Sequence, residues 1–133
     1  MKHDVAIITV TYNKLFDSCL ESVRKILDTS SLKVTYVVVD NDSQKIDAHH
    51  KVKTIIPEAE VILRAGNHGM GRSCNVAARE IDAEYYFFLN PDTDVTDVTI
   101  LNELHRFLET HPKVGIVAPR LLYPNGDLQK TCR

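Results

Sequence analysis

Tyr85-Tyr86-Phe87-Phe88-Leu89-Asn90-Pro91-Asp92-Thr93-Asp94 is the stretch from which the fold is read. Its first five residues are apolar or aromatic and read as a buried strand. They end abruptly at a cluster of oxygen donors, where Pro91 removes a backbone donor and stops the ladder. In an open α/β sheet, ligands bind just beyond the carboxyl ends of the strands. Two carboxylates and an amide delivered there suit a hard divalent cation, Mg²⁺ or Mn²⁺, whose remaining ligands are commonly phosphates. The plain alternative is an Asx-Pro turn leading into a helix.

On either side of this stretch, β-branched runs alternate with amphipathic ones. Residues 5–11 read as a strand. Residues 15–27 read as a helix, with Phe16, Cys19, Leu20, Val23, Ile26 and Leu27 returning at three- and four-residue intervals. Residues 33–40 form an apolar run of the kind covered on both faces of a parallel sheet. A weaker helix over 43–56 ends before Pro57, and 59–64 is a short strand. The turn Gly66-Asn67-His68-Gly69-Met70-Gly71 precedes a small-residue helix reaching about Ile81. Strand 84–89, helix 96–110 and a final strand 114–118 follow. The alternation predicts an α/β, Rossmann-like three-layer sandwich: a mostly parallel sheet, helices on both faces, right-handed crossovers. Beyond Pro119, Leu121-Leu122-Tyr123 and Pro124-Asn125-Gly126-Asp127 read as one arm and the turn of a hairpin. Its second arm has no room before Arg133, so further polypeptide is expected.

The 133 residues suffice for one domain with a real core. A hydrophobic content of 44% and a charged content of 26% are those of an ordinary globular protein. The net charge of −2 excludes the basic footprint of a nucleic-acid binder. Cys19, Cys74 and Cys132 are odd in number and lack metal-ligand spacing, so reduced thiols in a cytoplasmic protein are expected. The longest apolar runs fall far short of the roughly 18 residues that span a bilayer. Met1-Lys2-His3-Asp4 leads straight into a strand, without a signal-peptide pattern.

Polar clusters fall at the carboxyl ends of the strands: Thr9, Thr11, Tyr12, Asn13 and Lys14 after the first, and Asp40, Asn41, Asp42 and Ser43 after the second. The glycine turn follows the third, and residues 90–94 follow the fourth. All four are expected on one rim. Thr11, Tyr12 and Asn13 can line a base pocket with an aromatic face and an amide. Asp40 can accept from the N–H edge of a pyrimidine or from a ribose hydroxyl; alternatively, Asp40 and Ser43 only cap the next helix. The glycines do not match a dinucleotide fingerprint, which would follow the first strand, nor a Walker loop. Such a turn still lets a diphosphate approach the donors of a helix N-terminus, near Arg72 and Asn75; alternatively, Gly66, Gly69 and Gly71 are a sterically required loop. The six histidines form no ligand set; His68 alone lies near the proposed site, as a candidate phosphate contact. A receiver-type signalling domain is disfavoured, because Thr11-Tyr12-Asn13-Lys14 lacks the acidic pair it needs.

These motifs, in this order, resemble family 2 glycosyltransferases of the GT-A fold, most closely the rhamnosyltransferase-like branch. The resemblance rests on the Thr-Tyr-Asn ending of the first strand, Val37-Val38-Val39-Asp40-Asn41-Asp42-Ser43, Gly66-Asn67-His68-Gly69, Asn75 and Leu89-Asn90-Pro91-Asp92-Thr93. Two later blocks continue it: Pro112-Lys113-Val114-Gly115-Ile116-Val117-Ala118-Pro119-Arg120-Leu121 and Pro124-Asn125-Gly126-Asp127-Leu128-Gln129. The resemblance implies that residues 1–133 are the donor half of such an enzyme, breaking off at about 120–133. It implies a nucleotide pocket built from Thr11, Tyr12, Asn13, Asp40, Asn41, Gly69, Arg72, Asn75 and Asn90. It implies Mg²⁺ or Mn²⁺ on Asp92, where the family carries its Asp-X-Asp motif, with Asn90 replacing the first Asp. Asp94 either supplies the missing charge or simply precedes the next helix. The implied donor is a UDP- or dTDP-sugar, with dTDP-rhamnose favoured by Asn-Pro-Asp, and transfer inverts the anomeric carbon. The acceptor would be a glycan or lipid-linked hydroxyl in polysaccharide synthesis, at the inner face of the plasma membrane, with membrane association through a missing C-terminal part. No catalytic base is expected here, since Asp127 is a poor substitute. A non-catalytic nucleotide-sugar binding module is the alternative.

Overall fold

A computed structural model describes residues 2–130. The chain divides into two compact units, one ending at Val98 and the other beginning at Thr99. In the first, strands β1 (His3–Thr11), β2 (Val34–Asp40), β3 (Glu60–Leu63) and β4 (Ala83–Phe88) alternate with helices α1 (Asp17–Thr29), α2 (Ala48–Ile55) and α3 (Met70–Glu80). The four strands form one parallel sheet in the order β3-β2-β1-β4. This is the Rossmann-like parallel arrangement that the alternation predicts, and the GT-A arrangement that the family resemblance implies.

Successive side chains of a strand face opposite sides of a sheet, and the two sides of β1 and β2 are buried differently. Ala6 and Ile8 of β1 and Val37 and Val39 of β2 pack with Ala77 and Ile81 at the C-terminal end of α3. On the other side, Ile7 is in register with Tyr36 and Thr9 with Val38. All four are buried, and the Tyr36 hydroxyl donates to Thr9 Oγ1 at 3.1 Å. Burial pushes the Tyr36 phenol up, reinforced by the neighbouring Cys19 thiol of α1 and opposed by the Thr9 bond. Sandwiched between helices, β1 and β2 need the continuous apolar runs that their sequences supply.

Several boundaries differ from the sequence reading, each for a local reason. The helix expected over 43–56 begins only at Ala48, where Asp47 accepts from His50 N at 3.0 Å as its N-cap. Residues 43–45 are held in a loop, because the Gln44 and Lys45 amides both donate to Asn13 Oδ1. β4 is half-buried rather than buried, with Phe88 51% exposed. Among the described residues it pairs only with β1, which leaves its outer edge open.

In the second unit, α4 (Ile100–Thr110) starts four residues later than expected and lines an open cavity of about 430 Å³ with Ile100, Leu104 and Phe107. The expected strand 114–118 is not formed. That segment has no regular structure, and Ile116 is 90% exposed. β-propensity without a ladder partner does not make a strand. The hairpin, in contrast, does find its second arm: Leu122 bridges Leu128 antiparallel, and Gln129 N donates to Leu121 O at 2.9 Å. Gly126, at φ +91°, makes the turn compact enough to fit.

Ile8→Ala should destabilise the chain by about 2–5 kcal/mol in urea unfolding. Ile116→Ala should stay within about 0.5 kcal/mol; an equal loss for both would mean that residues 114–118 are packed.

Candidate functional site

Loops leave the carboxyl ends of all four strands, and each is bonded to the loop beside it. Between β1 and β2, Asn41 N donates to Thr11 O at 2.9 Å and Asn13 N to Ser43 Oγ at 2.8 Å. Asn13 Oδ1 accepts from Gln44 N at 2.7 Å and Lys45 N at 2.9 Å. Between β2 and β3, Asp42 Oδ2 accepts from Gly66 N at 3.1 Å. Between β1 and β4, Phe16 N donates to Pro91 O at 3.0 Å, and Lys14 Nζ meets Asp92 Oδ2 at 3.0 Å. The rim expected from the sequence is therefore one connected structure.

Thr11 and Asp40 are partners in the β1–β2 register, so their side chains stand side by side on one face. The Thr11 hydroxyl is buried and donates to Lys14 O at 2.5 Å, closing the turn after β1. Asp40 is 7% exposed and accepts from the Ser43 amide and hydroxyl. These bonds, to a residue three positions on, brace the loop after β2 and are not the cap of α2, which starts beyond them. A carboxylate has about four acceptor positions, so Asp40 retains capacity for a ligand. Tyr12, the residue after β1, is 48% exposed. Asn13 and Asp42 adopt φ of +56° and +64°, a conformation that Asn and Asp tolerate better than other residues with a Cβ.

Asn41 is buried, and its side chain makes three hydrogen bonds. Its Nδ2 donates to Asn67 Oδ1 at 3.3 Å and Gly69 O at 3.2 Å, and its Oδ1 accepts from Ser73 Oγ at 2.6 Å. Its side chain thus fastens the glycine turn and the start of α3 to the end of β2. Gly69 precedes α3 with φ +80°, and a Cβ there would meet nothing within 4 Å. The demand for glycine at this position is conformational rather than spatial. Arg72 and Asn75 are exposed in the first turns of α3. His68 Nε2 bonds to Ala65 O at 2.6 Å within the turn itself.

At the end of β4, Asn90 is exposed and its carbonyl accepts from Cys19 Sγ at 3.5 Å. Asp94 Oδ1 accepts from Ser22 Oγ of α1 at 3.1 Å, and the same hydroxyl accepts from Val95 N. Ser22 Oγ shares its one proton with Ser18 O at 2.7 Å, so the Val95 N bond to Ser22 Oγ is what ties this loop to α1, while Asp92 is the carboxylate paired with Lys14. Burial pushes the Cys19 thiol up to about 11, reinforced by Asp92 and Asp94 and opposed by a hydrogen bond with the Thr93 backbone.

Among the described residues, no three His, Cys, Asp or Glu side chains are grouped to hold a metal. The donor set does not make an all-protein cage. It fits a cation bound through one carboxylate, Asp92, with phosphate and water completing the shell, as Mg²⁺ commonly is. Sequence reasoning missed three roles: Asn13 as a clamp on residues 44 and 45, Asn41 as a buried hub, and Lys14 as the partner of Asp92. For Lys14 a signal existed, a lone cation in the loop after β1, opposite an acidic loop.

The sequence pattern of glycosyl transferase family 2 matches residues 6–131. The chain belongs to this family. No curated protein matches it. Among solved structures, S. aureus TarS 1–349 in complex with UDP superposes with a TM-score of 0.71 at 20% identity, covering 92% of this chain and 43% of that one. The mannosyltransferase PcManGT of Pyrobaculum calidifontis, in complex with GDP-Man and Mn²⁺, gives 0.68 at 22% identity, over 86% and 34% of the two chains. Glucosyl-3-phosphoglycerate synthase of Mycobacterium tuberculosis, with Mn²⁺, UDP and glucosyl-3-phosphoglycerate, gives 0.62 at 15% identity, over 80% and 39%. The chain thus spans less than half the length of each of these structures, which share its GT-A fold.

Asn41→Ala removes a hub and leaves the buried Ser73 hydroxyl without its acceptor. It should cost about 1–3 kcal/mol, read as a lower urea midpoint with unchanged slope. With Cys74→Ser and Cys132→Ser in place, the remaining thiol should react with a disulfide reagent at pH 8 only as fast as the chain opens. Immediate labelling would contradict a buried, protonated Cys19.

Proposed function

We propose that this chain is the donor-binding half of an inverting glycosyltransferase that takes a sugar from a UDP- or dTDP-linked donor. The observation carrying this reading is the bonded rim on which Thr11 and Asp40 stand together and Asp92 faces the β1 loop. Asp40 accepts from the N–H edge of the pyrimidine, using capacity that its Ser43 bonds leave over. The exposed Tyr12 ring covers the base, Asn13 keeps the β1 and β2 loops at fixed separation, and Asn41 holds Gly69 and α3 in place. The diphosphate lies toward the N-terminus of α3, whose backbone donors and positive dipole end favour an anion. Arg72 adds charge there, and Asn75 and Asn90 supply amides. Asp92 would hold Mg²⁺ or Mn²⁺, with Asp94 remaining on Ser22. That cation, when bound, neutralises charge developing on the departing diphosphate.

The printed ligands of the neighbours support the donor class: UDP for TarS, GDP-Man with Mn²⁺ for PcManGT, and UDP with Mn²⁺ for the synthase. The Asn90-Pro91-Asp92 sequence favours the rhamnosyltransferase-like branch and a dTDP-deoxysugar. A general base must deprotonate the acceptor hydroxyl. Asp40 and Asp92 have other tasks, so the base and the glycan or lipid-linked acceptor site are assigned to polypeptide outside residues 1–133. The place of action is proposed as the cytoplasmic face of the plasma membrane.

A thermal-shift titration with UDP or dTDP and Mn²⁺ tests this reading. Ligand at 100 times its dissociation constant stabilises a fold by about 2.7 kcal/mol, a rise of several degrees. Asp92→Ala should abolish the metal-dependent part of the shift, and Asp40→Ala should weaken nucleotide binding even without metal. No shift in the parent chain would defeat the proposal.

A further inference from the structure

Lys14 is unaccounted for by the donor site as drawn, yet it occupies the carboxylate on which that site turns. Its Nζ lies 3.0 Å from Asp92 Oδ2, although both side chains are about half open to water, at 54% and 41% exposure. Two exposed side chains gain little from meeting by chance. Here the backbone brings them together. The Thr11 hydroxyl holds the Lys14 carbonyl at 2.5 Å, and Phe16 N fastens the same loop to Pro91 O at 3.0 Å, one residue before Asp92. The Phe16 ring, its centroid 5.7 Å from Nζ, gives the ammonium a second attraction on its own loop.

From this geometry, and resting on the donor-site reading, we infer that Lys14 is the resident counter-cation of Asp92. It yields the carboxylate to a divalent cation and turns to the diphosphate, so that metal and nucleotide bind as a coupled pair. Three physical points carry the inference. An ammonium and a divalent cation repel each other at one carboxylate, so the two compete for Asp92. Without a cation, the carboxylates of Asp40, Asp42 and Asp92 would oppose an incoming diphosphate. Finally, a lysine on a four-carbon stem can swing between neighbouring anions without moving the backbone that carries it. The consequence is an unequal site: weak for free metal, stronger for metal with its nucleotide, with the coupling felt equally by both ligands.

A static loop-to-loop stitch is the competing role for Lys14, and it predicts the opposite sign. Loosening a stitch disorders Asp92 and weakens metal binding, whereas removing a competitor strengthens it. The test titrates Mn²⁺ alone into the nucleotide-free 133-residue chain, following the electron-paramagnetic signal of free Mn²⁺, and separately measures UDP binding in Mn²⁺ by calorimetry. Lys14→Met should bind Mn²⁺ alone about two- to fivefold more tightly than the parent, the range an exposed ion pair supports. The same variant should bind UDP in Mn²⁺ several-fold more weakly, and Lys14→Arg should behave as the parent does. On an Asp92→Asn background, Lys14→Met should leave Mn²⁺ affinity unchanged. Unaltered or weaker Mn²⁺ binding by Lys14→Met, in a parent that binds UDP with Mn²⁺, overturns the inference. A parent that binds no UDP with Mn²⁺ overturns the donor-site reading on which it rests.

Discussion

β1 is hydrogen-bonded along both edges and buried on both faces, and the position of every loop on the rim is measured from its carboxyl end. In a parallel sheet, strands side by side in register finish side by side. Thr11 is therefore set against Asp40, and Leu89 N reaches Ile8 O at 2.9 Å as β4 leaves the ladder. Any slip of one residue in the β1–β2 register would turn Asp40 to the opposite face and bring a valine to the rim. Such a slip would also part the buried Tyr36 hydroxyl from Thr9 Oγ1, its hydrogen-bond partner across the two strands.

On this frame two side-chain amides, Asn13 and Asn41, make several of the bonds that hold the loops. An amide both donates and accepts, so Asn41 can satisfy a carbonyl, another amide and a hydroxyl at once. A carboxylate of the same size could only accept, so it could not serve the Asn67 and Gly69 oxygens. Asn13 uses a different property. Its left-handed backbone conformation directs Oδ1 at two successive amides of the neighbouring loop, which stops α2 from beginning early. On the outer rim Lys14, Asp92 and Arg72 retain contact with water. Those exposed charges remain able to exchange partners, whereas the buried Asp40 and the Gly66-bonded Asp42 belong to the scaffold.

The second unit illustrates what local sequence cannot secure. Residues 114–118 have strand composition and no ladder, whereas the hairpin at 121–129 closes because its turn chemistry is local. Asn125 Oδ1 accepts from Asp127 N at 3.0 Å, and Gly126 takes the positive φ that a tight reversal needs. A strand needs a neighbour far along the chain, but a turn carries its own partners.

Sequence alone determined the alternation of strands and helices, the sheet's parallel sense and the placing of four polar clusters at strand ends. Each follows from periodicity and from chain geometry that acts within a few residues. It also marked Thr11, Asp40 and Asp92 as rim residues, because oxygen donors directly after an apolar strand have few other places to lie. Only the tertiary structure decided which of these side chains already had partners: Asp94 meets Ser22, Asn41 the glycine turn, and Asp92 a lysine 78 residues away in the chain. Those pairings depend on distances between loops that are remote in sequence, and no local pattern encodes such a distance until the sheet has set it.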